Sequence, residues 1–437
     1  MAHMNCNKVY RDLGGKIDSL QTRTPWNDAF LAMLKTLYTP EEADVVAKMP
    51  YGLAELDEIA KITKYERTKL QKILDSLCSQ GLVMDIWMKD KYRYMPSPLV
   101  VGIFEFVMMR TGDSLNSKRW ADLFHQYMHG DDTFYAANFA HSEKVSVMRT
   151  LIHEDAVLPA DHVEILDYEK AAAIIEAADR FAIGLCSCRH EKLHLGEKKC
   201  DVPLDTCSSF GTVADLVIRH KFAKEVSKTQ MLENLARSKE LKLVLTADNV
   251  KKNVNYVCHC CKCCCNLMLG VTQHGFPNTI VTSSFISQVV KESCVGCGMC
   301  AHTCPVNAIK VIQAESPKSK TKKTVTIDEY ICLGCGVCGL VCPLHAIGLV
   351  KRKQRVIHPE TTYERVILSC LERGTLQNQL FIDPQSTTQK AMRALVGGFL
   401  RLPPVKKALM SNTLRSTFLA SMKAGTKIIG KDWLLDV

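Results

Sequence analysis

Cys294-Val-Gly-Cys297-Gly-Met-Cys300-Ala-His-Thr-Cys304-Pro305 returns, shifted by 38 residues, as Cys332-Leu-Gly-Cys335-Gly-Val-Cys338-Gly-Leu-Val-Cys342-Pro343. Both segments read C-x2-C-x2-C-x3-C-P. Three thiols spaced in this way can converge on one centre, glycines let the backbone approach it, and the proline turns the chain. Of the 21 cysteines, 18 lie between positions 186 and 342; the others are Cys6, Cys78 and Cys370. Disulfide frameworks belong mostly to small secreted chains with poor cores. This chain has 437 residues, 47% hydrophobic and 23% charged, which allows two to four domains with real cores and argues against disorder. No basic segment followed by an apolar run opens it, so no secretory signal is expected. The longest charge-free segment, residues 263–290, is broken by Asn266, Gln273, His274, Pro277 and Asn278. That is too polar for a membrane span. Tight cysteine clusters in a reduced compartment hold metal, and a cytoplasmic location is expected.

Residues 285–350 resemble the bacterial-type two-[4Fe-4S] ferredoxin domain, whose cysteine spacing is this one. Three thiolates would wrap one face of each cube, and the fourth cysteine would cross to the other. The resemblance implies Cys294, Cys297, Cys300 and Cys342 on one [4Fe-4S] cluster, and Cys332, Cys335, Cys338 and Cys304 on the second. The connection Ser316-Pro-Lys-Ser-Lys-Thr-Lys-Lys323 departs from the pattern and is expected to be a solvent-exposed hairpin extension. Gly334-x-Gly336-x-x-Gly339 matches a dinucleotide fingerprint, but it lies inside the cysteine motif without a strand–helix context and is discarded.

Upstream stand Cys186, Cys188, Cys200 and Cys207, then Cys258, Cys260, Cys261, Cys263, Cys264 and Cys265, ten thiols in all. Neighbouring residues of an extended chain point to opposite sides, so the crowded run can address two centres at once. Zinc needs four ligands. Ten thiols beside a ferredoxin favour one or two additional iron–sulfur clusters, unconventional ones included, over zinc or a catalytic dithiol. The two groups are expected to form one metal-bearing unit. Arg189, His190, His259 and Lys262 are candidate proton donors or anion contacts, although plain hydrogen bonding to backbone or sulfide is favoured. The order of these motifs resembles a loosely characterised group of multi-cluster iron–sulfur proteins of anaerobic microbes. The resemblance covers most of the chain, implies electron transfer and carries no substrate.

Away from the cysteines, Thr39-Pro40-Glu41-Glu42 and Thr63-Lys64-Tyr65-Glu66 read as helix starts with capping boxes. The second helix would bury Leu70, Ile73, Leu74 and Leu77 and end at Gly81. Two β-prone runs, residues 82–88 and 92–95, follow across Lys89-Asp90-Lys91. Helices followed by a hairpin are the layout of a winged helix-turn-helix. DNA binding is disfavoured: residues 63–80 hold four basic and two acidic residues, a weak electrostatic footprint. Residues 96–180 read as helical, with Trp120, Phe124, Tyr127, Phe134 and Tyr135 as core and an alanine-rich helix over 169–180. Net charge is +10, and residues 343–437 carry 15 Lys and Arg against 6 Asp and Glu. In this tail Met410, Leu414, Phe418 and Met422 recur every four residues among Lys406, Lys407, Arg415 and Lys423. A helix packed on its own protein or a partner is favoured there over an interfacial helix.

The expected fold is therefore α+β and multidomain. A winged-helix-like domain spans 1–98, a helical and cysteine-rich metal-binding domain 99–284, the ferredoxin domain 285–350 and a basic helical tail 351–437. The expected function is relay of low-potential electrons in an anaerobic redox pathway. The alternatives are a reductase binding substrate at an unconventional cluster and a redox-sensing winged-helix regulator. A redox partner protein is expected, with a second copy of the chain and peripheral membrane contact through the basic tail as further partners. No Walker A or Ser-His-Asp pattern is present, so any catalysis would occur at a cluster.

Overall fold

The structure is a computed structural model that describes residues 2–112, 115–140, 145–159, 164–314, 323–353, 356 and 358–436. Strands among them are β1 (Val83–Met88), β2 (Lys91–Pro96), β3 (Met148–Thr150), β4 (Phe181–Leu185), β5 (Asp205–Phe210), β6 (Ala223–Glu225), β7 (Val244–Asp248), β8 (Tyr256–Cys260), β9 (Phe285–Val289), β10 (Ile309–Gln313), β11 (Lys323–Ile327) and β12 (Ile347–Lys351). The chain forms two compact units. One comprises Met1–Asn138, Leu216–Phe222 and Pro359–Val437; the other comprises Phe139–Asp215 and Ala223–His358. No helix among the described residues is long and apolar enough to cross a membrane.

In the first unit, helices Pro40–Lys48, Leu56–Thr63 and Arg67–Ser79 precede the β1–β2 hairpin. Thr39 and Glu42 form the expected capping box. The second start lies three residues later than expected. Thr63 ends the preceding helix, where its hydroxyl donates to the Ile59 carbonyl at 2.8 Å. Lys64 then turns left-handed, and the Glu66 carboxylate accepts from the Thr68 and Lys69 N–H groups. A hydroxyl already engaged in one helix cannot cap the next, and Glu66 satisfies two first-turn donors instead. Leu70, Leu74 and Leu77 are buried as expected, with Ile73 half-buried. Lys89 and Asp90 both adopt positive φ, 46° and 60°, making the hairpin a two-residue turn of the type that matches strand twist.

The five aromatics from Trp120 to Tyr135 are all buried and are core. Helix Arg415–Ile428 packs on helix Thr362–Arg373: Tyr363 and Thr426 hydroxyls meet at 2.7 Å, and Lys423 pairs with Glu364 at 2.5 Å. Of the expected tail stripe, Met410, Phe418 and Met422 are half-buried and Leu414 is exposed. The hairpin turn also meets the tail, through Lys89 to Asp432 at 2.9 Å.

Among the described residues, the helical reading of 96–180 holds for α-helix only to Phe139 and again over Ala171–Ala177. Between them β3 joins the six-stranded antiparallel sheet of the second unit, ordered β3-β7-β8-β5-β4-β6. Its partner β7 is about a hundred residues away, a pairing that local periodicity does not reveal. The cysteine-rich region is thus built on a sheet as much as on helices. Phe210, Leu245, Ala247 and Val257 pack on one face with Ile174, Ile175 and Met231 from helices Ala171–Ala177 and Lys228–Glu240. Side chains alternate along a strand, so Cys207, Cys258 and Cys260 come to the opposite face. The remaining strands form two antiparallel pairs, β9 with β12 and β10 with β11. Of the expected hairpin extension 316–323, residues 316–322 lie outside the described residues and Lys323 opens β11.

Candidate metal centres

The pair β9–β12 and the pair β10–β11 carry the two C-x2-C-x2-C loops between them. Gly296, Gly298, Gly334 and Gly336 all take positive φ, from 65° to 86°. This is the left-handed backbone that glycine adopts at low cost. Short helices Met299–Thr303 and Val337–Leu340 then present Cys300 and Cys338. The Ala308 N–H donates to Cys304 Sγ at 3.2 Å, and Ala346 repeats the contact with Cys342 at 3.3 Å. Ser287 Oγ stands 3.1 Å from Cys338 Sγ. Donors aimed at sulfur favour the thiolate form that iron requires, so these residues fit [4Fe-4S] clusters.

Thiols of the two motifs lie within electrostatic reach of one another, and Cys338 feels Cys300 as well as Cys304. Burial raises the Cys304 pKa, and Cys332 adds to the effect; Cys335 and Cys338 both feel Cys304. Cys300 is raised first by burial and then by Cys294 and Cys297. The two sets differ in exposure. Cys304, Cys332, Cys335 and Cys338 are all buried, whereas Cys297 is exposed and Cys294 half-buried. A surface cleft lined by Cys297, Gly298, Met299, His302, Thr303 and Val341 opens beside the exposed set.

The ten upstream thiols separate into two groups. Cys200, Cys261, Cys263 and Cys264 place their sulfurs within 4.8 Å of one another. The other group forms through pairing. The register Ser208↔Val257 places Cys207 opposite Cys258, and the two thiols are in contact. Cys258 also contacts Cys260, Cys260 contacts Cys265, and Cys265 contacts Cys188. Cys186, at the start of helix Ser187–His194, feels Cys188 and Cys207. The run 258–265 therefore serves both groups, and Cys260 and Cys261 diverge as adjacent residues leaving a strand must. Hydrogen bonds from Cys258 and Cys265 pull the Cys260 thiol down to about 6. One from Cys264 leads in pulling Cys261 down to about 5.

Arg189 lies fully buried against this region. Its guanidinium donates to the Pro203 carbonyl at 2.5 Å, to Thr206 Oγ1 at 2.8 Å and to the His259 carbonyl. It also bonds the Cys261 thiol. Burial opposes its charge, but the thiols of Cys186, Cys261 and Cys260 outweigh that and raise its pKa. His259 occupies the other face of β8, where its Nε2 meets Ser208 Oγ at 2.8 Å. Burial drops its pKa to about 3, so it is neutral. His190 pairs with His194 at 2.9 Å. Arg189 thus bonds backbone carbonyls and a thiol, whereas His259 and His190 meet other side chains.

A family model described as a 4Fe-4S dicluster domain matches residues 293–346. This segment is a ferredoxin-type iron–sulfur domain. Comparison with curated proteins and with solved structures found no match. Two residues join the ferredoxin-type domain to the upstream thiols, Lys262 through its side chain and His153 through its backbone N–H and its ring. Lys262 Nζ, between Cys261 and Cys263, donates to the His302 carbonyl at 3.1 Å. The His153 N–H donates to the Cys335 carbonyl at 3.0 Å, while its Nε2 reaches the Leu243 carbonyl at 2.8 Å. Leu243 packs against Cys261 and Cys264. Sequence reasoning missed His153 and Ser287, because neither has a cysteine within five residues to mark it. Cys78 and Cys370 are buried in the first unit.

Proposed function

We propose that the protein relays low-potential single electrons between a redox partner protein and its upstream thiol region. The observation that carries this reading is the unequal exposure of the two ferredoxin cysteine sets. Bound [4Fe-4S] clusters supply one-electron exchange. The chain's part is to leave Cys294 and Cys297 near the surface, where a partner can approach. It also excludes water from Cys304, Cys332, Cys335 and Cys338, and ties them through His153 and Lys262 to the upstream region. Ligation follows the crossed assignment, with Cys342 joining Cys294, Cys297 and Cys300. Cys186, Cys188, Cys207, Cys258, Cys260 and Cys265 are the place for a further, unconventional iron–sulfur centre. A reductase acting there is the second reading, supported by the partial exposure of Cys186, Cys188, Cys207 and Cys258.

The segments 1–98, 99–284, 285–350 and 351–437 remain the proposed organisation, with a winged-helix-like docking module first. Two of the four basic residues in 63–80 are engaged with carboxylates, Arg67 with Asp57 at 2.6 Å and Lys69 with Glu41. This favours a protein partner over DNA. Exposed Leu395, Phe399 and Ile428 in the basic tail support contact with a second copy or an anionic membrane surface in the cytoplasm. The test is a potentiometric titration of anaerobically purified full-length protein followed by low-temperature EPR. Two reducible, magnetically interacting [4Fe-4S] centres that exchange electrons with a soluble one-electron carrier are expected. Absence of a reducible centre would refute the proposal.

A further inference from the structure

We infer that Cys200, Cys261, Cys263 and Cys264 hold a single tetrahedral zinc ion, a centre distinct from every iron–sulfur cluster of the chain. Their sulfurs all lie within 4.8 Å of one another, with Cys200–Cys261 at 3.7 Å and Cys263–Cys264 at 3.5 Å. Four thiolates at about 2.3 Å from one zinc ion stand ~3.8 Å apart along the tetrahedron edges. In a cubane each thiolate binds a different iron corner, so its sulfurs spread wider. The ferredoxin cysteines provide the internal comparison. Among the described residues, neither of their sets closes to within the same limit.

The backbone explains the compact arrangement. After β8 the chain leaves the extended state and turns, with the Cys264 and Cys265 N–H groups both directed to the Cys261 carbonyl. The turn gathers Cys261, Cys263 and Cys264, while Cys260 before it and Cys265 after it face the other thiols. Cys200 then completes the set from a distant loop. Val202 and Leu243 pack against the four sulfurs and limit water on that side.

Charge agrees with this assignment. A divalent ion with four thiolates carries a net charge of −2. Arg189 is a fully buried cation that bonds Cys261 and has no carboxylate partner among the described residues. A buried charge without a counter-charge is costly, and the thiolate centre supplies one. Zinc has no redox chemistry, so the ion's role is to fix the loop at Cys200 to the turn at 261–264. That fixation sets the position of Lys262, whose ammonium bonds the His302 carbonyl, and of the six remaining upstream thiols.

The test uses full-length protein purified anaerobically, with zinc and iron counted per chain and zinc-edge X-ray absorption recorded. One zinc per chain is expected, with four sulfur neighbours at about 2.3 Å and no iron scatterer nearby. Cys263→Ala should lower chelator-resistant zinc at least tenfold while the ferredoxin EPR signals persist. Iron in place of zinc, zinc with nitrogen or oxygen neighbours, or zinc content unchanged in both Cys263→Ala and Cys264→Ala would overturn the inference. If both variants fail to fold, the wild-type absorption spectrum decides alone. Wild-type protein carrying the four-sulfur zinc but lacking reducible clusters would support this site and refute the electron-transfer proposal.

Discussion

Gly334 and Gly298 both take a left-handed conformation inside the cysteine motifs, at φ 67° and 80°, yet their surroundings differ sharply. A methyl group added at Gly298 would meet only Val311 Cγ2, at 3.2 Å. At Gly334 it would stand 2.0 Å from the Phe285 carbonyl oxygen and 2.5 Å from Ser283 Oγ. Neither neighbour can easily retreat. The Phe285 carbonyl accepts from Arg352 Nε at 2.9 Å, and Ser283 Oγ donates to the Gly334 carbonyl at 2.7 Å. Left-handed alanine costs about 1 kcal/mol, which is the whole effect expected for Gly298→Ala. Gly334→Ala adds about 1–3 kcal/mol of overpacking. For a unit of this size about 2–4 °C of melting temperature is lost per kcal/mol. Gly298→Ala should therefore melt about 2–4 °C lower, and Gly334→Ala ~4–16 °C lower, with fewer irons retained on the Cys332, Cys335 and Cys338 set. The assay is thermal bleaching of the cluster absorbance under anaerobic conditions, with iron counted beforehand. Equal melting temperatures for the two variants would refute the packing argument.

Cys304→Ala should perturb the EPR signal of the buried set and spare that of Cys294, Cys297 and Cys300; selective loss of the latter would contradict crossed ligation. Arg189→Met removes the buried cation facing the upstream thiols and should destabilise the metal-loaded second unit by about 3 kcal/mol, measured by denaturant unfolding. An unchanged midpoint would show that the thiolates do not depend on it. Glu105, which accepts from the Gly102 N–H at 2.8 Å, is raised by burial to about 7. A raised carboxyl contributes stability that is complete below its unfolded value near 4.5 and is lost as pH climbs through 7. The first unit should lose about 3 kcal/mol between pH 5 and 8. Glu105→Gln should flatten that slope in denaturant titrations, and a slope matching the wild type would exclude Glu105 as its source.

Sequence alone determined the ferredoxin-type loops, because C-x2-C-x2-C-x3-C-P is short and its glycines and proline dictate the local backbone. It also determined the Thr39–Glu42 capping box and the Lys89–Asp90 turn, where every partner lies within four residues. That Cys260 and Cys261 diverge was legible too, since a strand's pleat requires it, whereas Cys263 and Cys264, in the turn beyond the strand, converge to 3.5 Å. Which thiols meet was not. Cys200 joins Cys261 across 61 positions, and Cys207 joins Cys258 through the β5–β8 register. Thr63 looked like a cap until the preceding helix claimed its hydroxyl, and Met148–Thr150, inside the stretch 96–180 read as helical, pairs as β3 with β7. The division of ten thiols into a set of four and a set of six, and the burial of Arg189 against them, came from tertiary structure. Local spacing limits which atoms a few neighbouring residues can bring together, whereas strand register and chain reversal bring distant thiols within reach of a single metal ion.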